Sequence, residues 1–225
     1  MSADHASGRE QVLPRGRVLR YTFHERATHW VAAFSYIYLL ITGLAFWSPW
    51  LFWLALLLGG AQLSRILHPW AGLLFSAAII GMLVMWGKQM RTTQADKAWW
   101  RSLHFYITNQ DDKMPAAGRY NAGQKSLFWG FLFSTFFLLL SGVTLWFTEQ
   151  VPWNLRVLRY ISVLVHPIAA LVTIALFMIH IYMSVFAERG AFGSIIRGDV
   201  SEKFAKRYHP TWYEELVRSS PGREK

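Results

Sequence analysis

Apolar residues in this chain gather in long runs instead of recurring with an amphipathic period. The first extends from Trp30 to about Phe46, with an apolar extension through Trp50–Leu58. The second covers Ile66 to Trp86, the third Leu127 to Phe147 and the fourth roughly Val157 to Phe186. Each reaches the roughly 20 residues that a helix needs to cross a hydrocarbon core about 30 Å thick. None carries an acid in its centre, and the polar residues inside them are mainly Ser, Thr and His. A soluble helical bundle would show charged faces at a 3.6-residue period, and these runs do not. The pattern predicts an all-α integral membrane four-helix bundle forming a single domain over residues 1–225. The helices are expected at about 28–58, 66–87, 126–148 and 157–187, with a loop at 88–125 and a tail at 188–225.

Composition agrees with this reading. The chain is 53% hydrophobic and only 16% charged, where a soluble domain usually has about a quarter of its residues charged. The first run starts too late, and is too long, for the apolar region of a secretory signal, and no small-residue cleavage pattern follows it. The polar stretch Met1–Arg20 is expected to be ordered only where a partner holds it. Cysteine is absent, which excludes disulfides, thiolate metal sites and iron–sulfur ligation by this chain. No internal repeat or low-complexity segment stands out.

The net charge of +10 raises the question of nucleic acid, and its distribution answers it. Of the 23 basic residues, 20 lie before the first run, between runs two and three, or after run four. The other two connections hold only Arg65, Arg156 and Arg159. That asymmetry is what the positive-inside rule produces. It predicts cytoplasmic termini and a cytoplasmic middle loop, with orientation and anionic lipid accounting for the charge. Nucleic acid is not needed. The middle loop is too long for a plain connection, and Trp99, Trp100, Leu103, Phe105 and Tyr106 suggest an interfacial helix within it. Trp47, Trp50, Trp53 and Trp153 fit an outer aromatic belt, and Trp30, Trp86 and Trp129 an inner one.

Candidate chemistry lies in the histidines. Four of the eight fall at or within the apolar runs: His29, His68, His166 and His180. Sorted by depth they make an outer pair, His68 with His166, and an inner pair, His29 with His180. His166 and His180 are 14 residues apart, about 21 Å along one helix and about 40° short of the same azimuth. One helix can therefore supply a ligand to each of two stacked centres. Gly43 lies 14 residues after His29, and Gly72 and Gly142 offer further places where a flat macrocycle could approach the backbone. Neutral imidazole is a common axial ligand of haem, and helix bundles house such cofactors between facing helices. Filling both axial positions favours electron transfer over oxygen chemistry.

A plainer account competes. A lone histidine at a membrane edge is more often an interfacial polar residue than a ligand. His68–Pro69 and His166–Pro167 also fit ordinary helix starts, with Pro in the first turn. The combination of two depth-matched pairs sharing one helix favours haem ligation, since ionisable residues inside membranes are uncommon and tend to be functional. His24 competes with His29, but it precedes the apolar run and lies about 140° around a continuous helix. His5 and His209 lie in polar tails, and His104 in the interfacial segment.

These residues carry a family resemblance. Glu25-Arg26-Ala27-Thr28-His29-Trp30, Arg65-Ile66-Leu67-His68-Pro69, Val165-His166, Met178-Ile179-His180-Ile181-Tyr182-Met183 and the tail His209-Pro210-Thr211-Trp212-Tyr213 match it. The stretch Gly118-Arg119-Tyr120-Asn121-Ala122-Gly123-Gln124-Lys125 is the most specific. Together they resemble the cytochrome b (gamma) subunit of membrane-bound respiratory formate dehydrogenases, and more distantly the cytochrome of membrane NiFe hydrogenases. The resemblance implies two b-type haems, with His68 and His166 on the outer one and His29 and His180 on the inner one. It implies a quinone site, for menaquinone or ubiquinone, bordered by Asn121, Gly123 and Gln124 beside His180. From the residues alone, Asn121 and Gln124 are only polar groups at a helix entrance, with capping as their ordinary role.

The resemblance further implies a bacterial inner-membrane location and partners: an iron–sulfur (beta) subunit and a catalytic (alpha) subunit, with assembly into a higher oligomer left open. The chain then catalyses little alone, passing electrons inward from the periplasmic side to quinone. Other readings remain open at this point. One is the cytochrome subunit of a NiFe hydrogenase or another periplasmic oxidoreductase. Another is a haem-free membrane anchor or transporter.

Overall fold

A computed structural model of the chain describes residues 12–13, 16–108, 110 and 113–219. His5 and four of the basic residues counted above (Arg9, Arg15, Arg223 and Lys225) lie outside the described residues. Four helices are long and apolar enough to cross a membrane: α1 (Phe23–Trp47), α2 (Ala61–Trp86), α5 (Ala122–Trp146) and α6 (Val157–Ile181). Between α2 and α5 lie two short helices, α3 (Gln94–Arg101) and α4 (Leu103–Ile107). After α6 come α7 (Ala191–Arg197), α8 (Glu202–Tyr208) and α9 (Pro210–Ser219).

Local chemistry explains where these helices start and stop. The α1 helix begins five residues before the expected 28 because Thr22 and Glu25 form a capping box. The Glu25 carboxylate accepts from the Thr22 backbone N–H at 2.7 Å, and the Glu25 N–H reaches the Thr22 hydroxyl at 3.4 Å. The expected unbroken helix over 28–58 does not form. Pro49 holds Ser48 in extended backbone (φ −131°, ψ 127°), as a residue before proline must be, so α1 stops at Trp47. Pro49–Leu58 is instead a 3-10 helix of 10 residues, ended by Gly59 and Gly60 at φ 87° and 97°.

The last long helix changes pitch. At its end, Tyr182–Ala187 winds as a π-helix that closes at Glu188, a geometry that is rare and concentrated at functional positions. Pro69 and Pro167 lie inside α2 and α6, not in their first turns. The ordinary helix-start account of the two His–Pro pairs therefore fails.

The chain divides into two compact units. One comprises Ala27–Met85 and Trp129–Ile179, the middle of the four long helices. Its centre is Tyr36 of α1, whose ring meets Phe75 of α2, Phe131 of α5 and Phe177 of α6 at centroid distances of 5.6, 6.1 and 5.1 Å. The Tyr36 hydroxyl donates to Thr173 Oγ1 at 3.3 Å, which satisfies the buried polar end of the ring. Large side chains such as Phe34, Leu74, Val84, Phe133, Phe136 and Leu164 point outward and are exposed, an apolar surface suited to lipid.

The other unit holds the described residues up to Arg26, then Trp86–Phe128, and the chain from His180 onward. Here a small antiparallel sheet departs from the all-α expectation. Strands β1 (Val12–Leu13), β2 (Arg17–Leu19) and β3 (Asp199–Ser201) pair in that order, with Val18 opposite Val200. The strands are too short to show a period-2 pattern, and β2 and β3 are far apart in sequence, so no local signal announces them. Val18, Val200, Phe204, Ala205, Trp212 and Leu216 make the core of this unit. Arg17 bonds Asp199 across the sheet. That pairing orders residues 17–19, part of the stretch expected to need a partner.

Candidate functional site

Two places in the structure carry chemistry, one in each unit. The first is built on His68 of α2 and His166 of α6, whose rings face each other with centroids 6.4 Å apart and planes inclined at 59°. Two imidazoles bound to one metal, each by a nitrogen about 2 Å from it, would have ring centres about 6 Å apart. The observed 6.4 Å is compatible with that spacing.

The remaining ring nitrogens decide the tautomer. His68 Nδ1 lies 2.6 Å from Thr42 Oγ1 of α1, and His166 Nδ1 lies 2.9 Å from Ser141 Oγ of α5. Each hydroxyl gives its single proton to a backbone carbonyl one turn back, Thr42 to Tyr38 at 2.8 Å and Ser141 to Phe137 at 2.6 Å. Each hydroxyl oxygen can then only accept from the ring, so both imidazoles carry their proton on Nδ1. That tautomer would leave each Nε2 a lone pair able to bind a metal, as where neighbouring groups orient histidine ligands.

Glycines stand beside both rings. A Cβ on Gly142 would come within 3.2 Å of His166 Cε1, and one on Gly43 within 3.8 Å of His68 Cε1. Two of the positions singled out as macrocycle approaches thus lie against the Cε1 atoms of the imidazoles, whereas Gly72 faces Leu39 and serves helix packing. Among the described residues no group of three or more His, Cys, Asp or Glu converges on one point.

The two half-sites share a short local pattern. Thr42-Gly43 precedes His68-Pro69 by 26 residues, and Ser141-Gly142 precedes His166-Pro167 by 25. Each half-site thus combines a hydroxyl–glycine step on one helix with a His–Pro step on the next. The pattern was legible as a signal for Thr42 and Ser141, which the histidine pattern alone missed. Of the inner pair, His29 belongs to the unit of the outer pair and His180 to the other unit.

The second place is the entrance of α5. Asn121 and Gln124 cap that helix reciprocally: the Gln124 N–H donates to Asn121 Oδ1 at 2.9 Å, and the Asn121 N–H to Gln124 Oε1 at 3.2 Å. With both amide oxygens engaged by backbone, both amide nitrogens turn outward, and they turn to one group. Asn121 Nδ2 lies 3.3 Å from Glu188 Oε1, and Gln124 Nε2 lies 3.4 Å from Glu188 Oε2. The Tyr106 hydroxyl of α4 donates to Glu188 Oε1 at 2.8 Å. Capping is thus part of how the pair is aimed. Gly123 leaves room for Trp99, since a Cβ there would stand 3.1 Å from the indole, and Trp99 packs on Tyr106 with ring centres 5.0 Å apart.

The rest of the 118–125 stretch is equally engaged. The Gly118 carbonyl accepts from His209 Nδ1 at 2.8 Å. Arg119 pairs with Glu25 at 3.2 Å, and Glu25 also accepts from Trp86 Nε1 at 2.7 Å. Lys125 meets Asp96 at 2.8 Å. Burial pushes the Asp96 carboxyl up, but the bonds from Lys125 and from the Thr93 amide and hydroxyl, with the Lys125 charge, hold it below its ordinary value. A cleft of about 410 Å³ opens here, lined among others by Asp96, Trp99, Arg119, Asn121 and Lys125, within the size range of small-molecule sites. Glu188 and His209 are the residues the sequence reading missed. His209, expected in a polar tail, has a fully buried side chain, because α9 folds Trp212 and Leu216 into the core beside it.

Known proteins bear on this geometry. A sequence profile of the prokaryotic cytochrome b561 family matches residues 20–198. The cytochrome b556(Fdn) subunit of the nitrate-inducible formate dehydrogenase of Escherichia coli K12 is 33% identical over 210 residues, spanning 92% of this chain and 95% of that protein. The cytochrome b556(fdo) subunit of formate dehydrogenase from the same strain is 33% identical over 207 residues, spanning 92% and 96%. The formate dehydrogenase cytochrome b556 subunit of Haemophilus influenzae is 31% identical over 206 residues, spanning 90% and 85%.

Proposed function

The chain belongs to the prokaryotic cytochrome b561 family, and from that premise we propose that it is the membrane cytochrome b subunit of a formate dehydrogenase complex. It would pass electrons from a periplasmic iron–sulfur subunit, served by a separate catalytic subunit, to a quinone at the cytoplasmic side of a bacterial inner membrane. The observation that carries the reading is the facing pair His68 and His166, each with Nδ1 against a hydroxyl oxygen, which would leave Nε2 for iron. The relatives named above supply the donor.

In this reading His68 and His166 hold one haem b and His29 and His180 a second. Haem b, when bound, supplies reversible one-electron transfer. The chain's own part is to fix the ligand rings. Thr42 and Ser141 set the tautomer, while Gly43 and Gly142 clear the space beside the rings. Asn121, Gly123 and Gln124, in the same unit as His180, border the quinone, menaquinone or ubiquinone. The basic excess at both ends and in the middle loop supports cytoplasmic termini.

The test is haem content per chain in detergent, with a dithionite-reduced minus oxidised spectrum. Two low-spin b haems per chain, falling to one in His166→Ala, agree with the proposal. A folded preparation without stoichiometric haem overturns it.

A further inference from the structure

Glu188 is an acid that the quinone reading does not use. It closes the π-helix after α6 and is only 4% exposed. Its carboxyl receives the Tyr106 hydroxyl, the Asn121 amide and the Gln124 amide, from two separate elements. A buried carboxylate is costly unless it is hydrogen-bonded, and this one is bonded by the same two side chains that border the candidate quinone. Those amides cannot be aimed elsewhere, because the cap of α5 occupies their oxygens.

The surroundings supply a route for protons. Tyr106 and Asn121, both donors to Glu188 Oε1, also line a cleft of about 50 Å³ with Arg207 and Tyr208. A space of that size holds water, which needs only about 10–15 Å³ and a few polar partners. The larger cleft meets it at Asn121 and brings in Asp96 and Lys125. Among the described residues, Tyr106, Arg207 and Tyr208 of the small cleft and Asp96, Arg119, Tyr120, Lys125 and Glu215 of the larger one are the titratable or charged groups lining these spaces.

We infer that Glu188 is the proton-delivering acid of the quinone site, with Tyr106 as its positioning residue. This rests on the quinone reading given above. Reduction of a quinone to its quinol consumes two electrons and two protons. The electrons originate in formate. In the step assigned to Glu188, its O–H bond breaks as a quinone oxygen gains the proton. The carboxylate is then reprotonated from the aqueous side, with water in the small cleft as relay, and the second proton also comes from the aqueous side.

The experiment uses the whole complex in membranes or detergent. Its haems are reduced with formate, and their reoxidation by a short-chain quinone is followed by stopped flow across a pH series. Glu188→Gln should retain haem content and reoxidation by ferricyanide, yet react with quinone about 10²-fold more slowly, without the acid-favoured limb of the wild-type profile. Tyr106→Phe should slow the reaction less and shift the limb. Glu188→Asp should recover part of the rate, and it carries the same test if the Gln variant does not assemble. Wild-type kinetics and pH profile in the Glu188 variants would overturn the assignment while leaving the quinone reading intact. A wild-type complex whose haems no quinone reoxidises would instead remove the quinone reading itself.

Discussion

The Thr42 hydroxyl on α1 accepts the Nδ1 proton of His68 on α2 at 2.6 Å, while its own proton goes to the Tyr38 carbonyl. One side chain thereby sets which nitrogen of the imidazole is free. Thr42→Val keeps the shape and removes the acceptor. Partners of this kind are typically worth 10–100-fold in metal affinity. Haem occupancy in the reduced-minus-oxidised spectrum should therefore fall on dilution of the detergent-solubilised protein or on incubation with a haem-scavenging apoprotein, with the four spans intact. Unchanged haem retention would show that the hydroxyl is not what orients His68.

Gly142 sits so close to His166 that a methyl group cannot enter without moving the ring. A Cβ there meets Cε1 at 3.2 Å, on an interior that is close-packed. Gly142→Ala should cost one haem of the pair, or broaden its spectrum, whereas Gly72→Ala, whose Cβ meets only a Leu39 methyl at 3.9 Å, should not. Equal haem content in the two variants would contradict the role given to Gly142.

Gly123 gives a parallel test at the other site. Its missing side chain is filled by Trp99, which in turn packs on Tyr106. Gly123→Ala should displace that indole and with it the hydroxyl on Glu188. Quinone-dependent haem reoxidation should slow by an order of magnitude or more, about what a displaced catalytic group costs, while haem content stays at the wild-type level.

His209 makes stability depend on pH. Its pKa lies well below the ordinary value because the ring is buried and Arg20 stands near it; the bond to the Gly118 carbonyl opposes this only in part. A histidine held neutral in the folded state contributes fully above its unfolded pKa of about 6.5 and loses that contribution as pH falls below it. The melting temperature should therefore drop on acidification, and His209→Asn, whose amide can still donate to Gly118, should show a shallower drop. Parallel curves for the two proteins would exclude His209 as a source of the dependence.

Orientation can be read directly, because the chain has no cysteine. Single cysteines at Asn154 and Glu214, both exposed, should react with an impermeant maleimide from opposite sides: Asn154→Cys in intact spheroplasts and Glu214→Cys only in inverted vesicles. The reverse pattern would invert the proposed direction of electron flow.

The sequence by itself determined the four apolar spans, because a chain in hydrocarbon must satisfy its backbone internally and only a long apolar helix does so. It also marked His68 and His166 as candidates for chemistry, since ionisable rings at or within such spans are uncommon. It was less informative at the helix ends. There a capping box at Thr22 and a proline at 49 outweigh hydropathy, and an apolar run such as Trp50–Leu58 cannot report its own pitch. The tertiary structure alone decided the partners. Thr42 meets His68, Ser141 meets His166, Asn121 meets Glu188 and Gly118 meets His209 across 26, 25, 67 and 91 residues. Hydropathy and periodicity describe a residue among its near neighbours along the chain, whereas tautomer, burial and hydrogen bonding are set by whatever the fold places against it. Glu188 looked like one more charge after a membrane span until the cap of α5 turned two amides toward it.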